Sequence, residues 1–432
     1  MDDTLIVDVH TRLIWAMAAS IEALFIVFGP EYESRKSPLS IDKFLEATSS
    51  WRKLQLGLII DTSLMRVELP DEKRQQLLVC INSTWHDNRK SFILLKGLIL
   101  AGKLEHAALV CPWLRYCFVS LRHLINKLLQ RARYATLQSS FYSQWIKLIQ
   151  DSTTATEKDL KEKFAAKKNA ENMYHSKKKM FISTELRHEI SFLKTLLSEN
   201  THSQIWSPIA HLIPRVPTYT SDGDASLRAG GGFSLDLQFW WFFEWPPEIQ
   251  NLTLDKFQIK QQNDHGDLIS INLLEFFGFI MNYIAANIRL SQLRQKDTQN
   301  KLEQYPVILN QCDNVSALKW ILKAATASAA GRSLSRLTCS IMRTSSLGLN
   351  GEHLAGELNV IADSISRLVT DTNSSPNYSL LMQEFPVLQN CYQFIPSAEL
   401  VFYLTQSLLG VLGLDPPALK QMGHFLPDKD FI

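Results

Sequence analysis

Four acidic residues in the second half of the chain stand where acids are costly or where strands end: Asp224, Glu275, Asp313 and Asp363. Asp224 closes a β-prone run, and Asp313 closes the apolar strand that begins at Val307. Glu275 sits inside Ile271-Asn272-Leu273-Leu274-Glu275-Phe276-Phe277, where a lone carboxylate is costly unless it is paired or bound to a metal. Asp363 lies in Asn359-Val360-Ile361-Ala362-Asp363-Ser364-Ile365-Ser366-Arg367, again among apolar neighbours. Successive separations of 51, 38 and 50 residues mean that only a fold can unite them. Strand-end and helix-face acids meeting at one sheet edge would hold two Mg²⁺ ions, or Mn²⁺ in their place. Such ions activate a water and stabilise the leaving oxygen of a phosphodiester. Read one at a time, each acid is expected to be a cap or a surface residue rather than a ligand; the set is what points to chemistry.

The elements that must position these acids are legible in outline. Pro214 and Pro217 punctuate a linker, after which Tyr219 to Ser226 reads as β-prone. Gly230-Gly231-Gly232 reads as a hairpin turn, and Phe233 to Trp245 as an aromatic return strand. Alternation along that strand turns half of Trp240, Trp241, Phe242 and Phe243 inward, so core packing is expected of them rather than a stacking platform for bases. A long apolar helix starts at Ile271, a strand runs from Val307 to Asn310, and a helix starts at Ser316. A glycine-bounded loop near 348–351 and a helix from Val360 complete the segment. Strands followed by strand–helix units make this an α/β domain. Upstream, Gly57 to Asp61 and Met65 to Leu69 read as two short strands, and Pro70-Asp71 opens a helix. Residues 90–133 read as two helices broken at Cys111-Pro112. Residues 155–198 are helical in pattern, with a basic first half from Lys158 to Lys179 that is either a solvated face or a phosphate-tracking surface.

The whole chain has 432 residues, 46% hydrophobic and 20% charged, enough for two to four domains with real cores. That excludes a collagen, a disordered tail and a small disulfide scaffold. A formal net charge of +2 excludes a globally basic nucleic-acid coat but leaves room for a local basic groove. The six cysteines form no CxxC pair and no zinc spacing, so buried free thiols in a reducing compartment are expected. The apolar stretches Leu13 to Phe28 and Ile271 to Leu290 carry Glu22 and Glu275, and the first is preceded by acids, so no membrane span and no secretion signal are expected.

Asp224-Ala225-Ser226 followed by glycines, Leu273-Leu274-Glu275, Asp313-Asn314-Val315-Ser316-Ala317 and Asn359 through Arg367 resemble, in that order, the successive motifs of a retroelement ribonuclease H domain. The order is similar to that of the gypsy-like and DIRS-like groups, and NVIADSISR is the most distinctive block. The resemblance implies a mixed five-stranded sheet with flanking helices and a metal-binding tetrad of Asp224, Glu275, Asp313 and Asp363. Asp222 is a rival for the first place, two residues back on the same strand face. His353, ten residues before Asp363 in a glycine-flanked loop, resembles the mobile histidine that helps product leave; a satisfied structural histidine is the equal alternative. Asn314, Ser316 and Arg228 are candidate nucleic-acid contacts, and the polar stretch Gln292 to Gln304 is expected to be an inserted loop.

Further upstream, Met1-Asp2-Asp3 followed by Leu5-Ile6-Val7 resembles the second half of a polymerase palm motif, and Leu56 to Thr62 the primer-grip hairpin. Pro70 to Leu78 and Gly102-Lys103-Leu104 resemble a thumb. The resemblance covers 1–130 loosely and 180–370 well. It implies a reverse-transcriptase palm remnant and thumb over 1–135, a helical connection over 136–213, a ribonuclease H-like domain over 214–370 and a helical tail over 371–432. Without the rest of the palm, Asp2 and Asp3 are expected to be relics and polymerase activity to be absent. The implied reaction is two-metal hydrolysis of the RNA strand of an RNA–DNA hybrid, recognised through backbone and 2′-hydroxyl contacts. The alternative is a co-opted or decayed, non-catalytic nucleic-acid-binding protein of the same fold. Expected partners are a hybrid or other nucleic acid, and a separate polymerase fragment or a second copy; the expected location is intracellular, cytoplasmic or nuclear. An incomplete palm would leave an open sheet edge, so the full chain is expected to be less soluble than residues 214–370 alone.

Overall fold

The computed structural model describes residues 51–137, 179–198, 205–253, 269–368 and 376–426, apart from single positions within them, and a few helical positions between 18 and 26. Asp2, Asp3 and the lysine-rich stretch before Lys179 lie outside the described residues. The chain is mixed α/β.

The first body opens with a meander of β1 (Arg52–Gln55), β2 (Leu58–Asp61) and β3 (Arg66–Glu68). Its first turn places both Leu56 and Gly57 at positive φ, a conformation that costs Gly57 nothing. Pro70 then leads into α1 (Asp71–Thr84), with Asp71 and Glu72 at its positive end, as its sequence predicts. β4 (Ser91–Ile93), α2 (Leu94–Ala108), a 3₁₀ turn at Pro112–Cys117 and α3 (Val119–Leu137) follow. β5 (Lys179–Phe181) pairs with β4, α4 (Thr184–Ser198) packs into the same core, and β6 (Trp206–Pro208) joins β3 to complete a four-stranded antiparallel sheet. Leu186, Ile190, Leu193 and Leu197 of α4 share one core with Leu77, Ile81, Leu100 and Leu104. The described parts of the expected thumb and connection segments are thus one packed body.

The second body is a sheet of β7 (Tyr219–Ala225), β8 (Ala229–Ser234) and β9 (Phe239–Glu244), followed by α5 (Pro247–Leu252) and the long α6 (Ile271–Lys296). Then come β10 (Val307–Cys312), α7 (Val315–Lys323), α8 (Ala329–Thr344), β11 (Gly348–His353) and α9 (Val360–Ser366). The chain continues through α10 (Tyr378–Glu384), β12 (Tyr392–Pro396), α11 (Ala398–Leu408) and β13 (Gly423–Phe425). The strand order is β11-β10-β7-β8-β9-β12-β13, a seven-stranded mixed sheet rather than one of five. β7, β8 and β9 are antiparallel; β10 and β11 run parallel to β7, and β12 parallel to β9. The two additional strands come from the tail expected to be helical: β12 extends the sheet beyond β9, and β13 pairs with β12.

Three other expectations are corrected. Gly230, Gly231 and Gly232 are not a turn but the middle of β8, between turns at 226–228 and 235–238. They are glycines because both faces are crowded: a Cβ on Gly230 would strike Trp245, one on Gly231 would strike Ile365 and the Ser366 nitrogen, and one on Gly232 would strike Asn282. The glycine-bounded loop at 348–351 is β11, a strand paired in parallel with β10 from Val307↔Gly348 to Cys312↔His353. The stretch from Gln292 is no inserted loop at its start, because α6 runs on through Lys296.

Pleating divides the aromatic strand between two cores. Phe239 and Trp241 pack with α6, β10, α8 and α11, whereas Trp240 and Phe242 pack with Ala362 and Ile365 of α9 and with Leu381 and Leu388. All four are buried, as core residues are, and unlike a stacking platform. α6 is long and apolar enough to cross a membrane by length and composition, and 83% of its most apolar window is buried within the fold. The two bodies meet at α7 and α8. Tyr116 donates to the Ile321 carbonyl at 2.5 Å, Arg122 donates to the carbonyls of Lys323 and Ala324, and the free thiols Cys117 and Cys339 touch at 2.8 Å between sulfurs.

β12, α11 and β13 bury Phe394, Leu400, Leu404, Leu408 and Met422 almost completely. At about 1.5–3 kcal/mol for each such side chain, their burial is comparable to the about 5–15 kcal/mol by which a typical fold is stable. Ending the chain at residue 370 would strip that cover and bare the edge of β9. We therefore expect a chain of residues 1–370 to be less soluble and less cooperative in thermal unfolding than the full chain. Equal, monodisperse behaviour of the two in gel filtration and calorimetry would contradict it.

Candidate metal centre

Register brings the first two acids together. β7 and β10 are parallel, with Ile308 beside Tyr219 and Gln311 beside Asp222. Carried two residues further, the same offset sets Asp313 level with Asp224 at the carboxyl ends of the two strands. α6 starts beside that edge and delivers Glu275 from its second turn. One carboxylate oxygen from each of Asp224, Glu275 and Asp313 lies within 4.8 Å of the other two. Asp224 and Glu275 are each only 5% exposed, while Asp313 is half-buried.

Three carboxylates so placed resist ionising together. Burial first, and then the neighbouring acid charges, push the Glu275 carboxyl up to about 9, and the Ala225 N–H offsets this only in part. Burial likewise pushes Asp224 up to about 6, against a hydrogen bond from Ser366, whose Oγ donates to Asp224 Oδ2 at 2.5 Å. Asp313 is raised in the same direction, by burial and then by the charge of Asp363. Hard oxygen donors, converging and mutually repelling, are the donor set that Mg²⁺ or Mn²⁺ takes. The residues fit a divalent cation.

The fourth acid stands apart. Asp363 is on α9 and close enough for its charge to raise all three others, yet it is outside the triad. Its Oδ1 accepts from Arg367 Nε and Nη2, both at 2.7 Å. Asp222 is also outside: burial and the charge of Asp236 raise it to about 6, and it faces that acid rather than Asp313. The geometry therefore selects Asp224 over Asp222.

His353 is the last residue of β11, exposed, with Nε2 3.1 Å from the Asp313 carbonyl oxygen. It borders the triad, from a strand end and not from the expected glycine-flanked loop. Asn314 caps α7, its Oδ1 accepting from the Ser316 and Ala317 nitrogens while its Nδ2 donates to Asn272, so its side chain is already spent on the fold. Ser316 is half-buried in the first turn of α7. Arg228 lies in the β7–β8 turn, and its buried Nη1 has no hydrogen-bond partner among the described residues. Sequence reading passed over Ser366 and Arg367 as site residues, although both stand in the quoted NVIADSISR block. It also passed over Asn359, whose Nδ2 donates to the Gly223 carbonyl.

The raised carboxyls have a consequence for stability. A carboxyl whose folded pKa lies above its unfolded value binds its proton more tightly in the folded state, so stability falls as pH rises between the two values. For Glu275 that window runs from about 4.3 to about 9, and for Asp224 from about 3.9 to about 6. With divalent cations chelated, the thermal midpoint is expected to drop steadily from pH 5 to 9. Glu275→Gln should flatten the upper half of that slope and raise the midpoint at pH 8. Melting curves across pH decide it, and a flat wild-type profile would show that the triad is not under this strain.

No family model, curated protein or solved structure matches this chain.

Proposed function

We propose that the chain is a retroelement-derived ribonuclease H-type endonuclease, hydrolysing the RNA strand of RNA–DNA hybrids at the Asp224–Glu275–Asp313 centre. The observation that carries this reading is the convergence of those three carboxylates from two strand ends and one helix. They stand at the positions where the sequence resembles the family's motifs. The mixed sheet supports it too: β7 to β11 all lie within residues 214–370, with helices on both faces, and β12 and β13 are additions to that plan.

Asp224, Glu275 and Asp313 would hold the divalent cations, and Asp363 would join them on leaving Arg367. When bound, Mg²⁺ ions make a water acidic enough to attack at neutral pH and offset the charge that builds on the phosphodiester. The chain's own groups do the rest. Ser366 keeps the Asp224 carboxylate oriented, and the Ala225 N–H steadies Glu275. Arg228, whose Nη1 has no acceptor among the described residues, would be the guanidinium that turns out to a phosphate oxygen. His353, exposed at the rim beside Asp313, would be the group that meets the product.

A second reading has its own observation. Asp363 is bound by Arg367, and His353 is hydrogen-bonded at a strand end, an arrangement that also suits a co-opted protein that binds hybrid without cutting it. Incubating the full chain with an end-labelled RNA–DNA hybrid in Mg²⁺ separates the two. Cleavage of the RNA strand to products with 3′-hydroxyl and 5′-phosphate ends is expected. Asp313→Asn should reduce it by more than about a hundredfold, the upper end of what outer-shell partners cost a metal site. A folded wild-type chain that binds hybrid yet leaves it intact would establish the non-catalytic reading.

A further inference from the structure

Beneath the acidic triad lies a buried polar cluster that the proposed chemistry does not use. Asn282 of α6 and Asn310 of β10 are fully buried, and Ser221 of β7 nearly so. Asn282 Nδ2 donates to Asn310 Oδ1 at 2.9 Å, and Ser221 Oγ donates to the same oxygen at 2.8 Å. Asn310 Nδ2 returns a bond to the Phe279 carbonyl of α6 at 2.8 Å, and Trp241 Nε1 of β9 donates to Asn282 Oδ1 at 2.5 Å. Asn282 fits there because Gly223 and Gly232 carry no Cβ. One amide on α6 is thereby tied directly to β10 and β9, and through Asn310 to Ser221 of β7.

The spacings give the cluster its meaning. Ser221 precedes Asp224 by three residues, and Asn310 precedes Asp313 by three, which on a strand is about 10 Å. Asn282 follows Glu275 by seven residues, two helical turns and again about 10 Å. The cluster is one layer set at equal depth under all three acids. An odd spacing on a strand also puts Ser221 and Asn310 on the α6 face, opposite the face of Asp224 that meets Ser366 of α9. The layer therefore touches no acid and acts through the backbone. An apolar contact between α6 and the sheet would tolerate sliding; a closed set of directional, buried bonds has one register.

We infer that Asn282, Asn310 and Ser221 are positioning residues, a register lock that sets the height of Glu275 on α6 against Asp224 and Asp313. This rests on the triad being a cation site. The test is Mg²⁺ binding by the full chain, followed by titration calorimetry, with thermal stability measured alongside. Asn310→Leu should weaken Mg²⁺ binding by about tenfold or more, as loss of outer-shell partners does, and Ser221→Ala should weaken it less in the same direction. Ile341→Ala, a cavity in α8 away from these bonds, should lower the melting temperature comparably and leave Mg²⁺ affinity within about twofold. If Asn310→Leu does not fold, Ser221→Ala decides. Wild-type affinity in a folded lock variant, or an equal loss in Ile341→Ala, overturns the lock while leaving the metal centre standing. A wild-type chain that binds no Mg²⁺ overturns the metal centre, and the lock falls with it.

Discussion

Three carboxylates within 4.8 Å of one another, two of them almost wholly removed from water, are the constraint around which the second body is organised. At an effective dielectric of about 20, each fully charged pair repels by roughly 3–4 kcal/mol. Without a cation the chain meets that cost by holding a proton on Glu275, whose carboxyl is raised to about 9, and the whole of α6 must still be kept from swinging its acid away. Burial of nearly one entire face-to-face helix does so. Phe276, Phe279, Ile280 and Tyr283 are all inside, and Tyr283 donates to the Leu347 carbonyl just before β11.

Close approach is the second requirement, and the glycines of β8 meet it. α6 comes down on one face of the sheet at Gly232, and α9 on the other at Gly231. Side chains there would lift both helices, taking Glu275 and Asp363 with them. Glycine in mid-strand is entropically costly, so its presence at Gly231 and Gly232 is explained by what the two flanking helices carry, and at Gly230 by the ring of Trp245. The aromatic neighbours on β9 make up the packing that the glycines cannot, with Trp241 closing one face and Trp240 the other.

The acids, the long helix, the strands flanking them and the split at Cys111-Pro112 were all legible in the sequence, because each depends on local pattern. What was not legible depends on a partner far along the chain. Three glycines in a row have the local signature of a turn, and only Ile365 and Asn282, 134 and 51 residues beyond Gly231, make them a strand. Gly348 to His353 likewise lacks any β-branched residue and is a strand because β10 offers a parallel edge. β12 is short, ends in a proline and is recognisable only once β9 is known to have an open side. At the site, the Ala225-Ser226 pattern after Asp224 already favours it over Asp222, and the register of β7 on β10 adds a reason that no spacing in one strand reveals. Asn282, a polar residue in an apolar helix, was a visible signal; it stood seven residues from an acid that drew the reading away from it.

The first body is coupled to this centre through α7 and α8, and beside β6 its Trp206 also packs on Tyr305 just before β10. Ala324 and Cys339 belong to the first body's core, although they are carried by the second. Ala324 ends α7 in the left-handed conformation, and its carbonyl, with that of Lys323, is taken by Arg122. α3 is itself held by Glu189 of α4, whose buried carboxyl accepts the Ser120 and Leu121 N–H groups at the helix's positive end. α7 begins two residues after Asp313, capped by Asn314. The path from the first body to the acids is therefore short and built of carbonyls, caps and packed side chains. A disturbance of α3 would be felt first at the end of α7, one rigid helix away from Asp313, while the register layer under the acids would remain closed. The two bodies thus share a core at α7 and α8, next to the acids and apart from the polar layer beneath them.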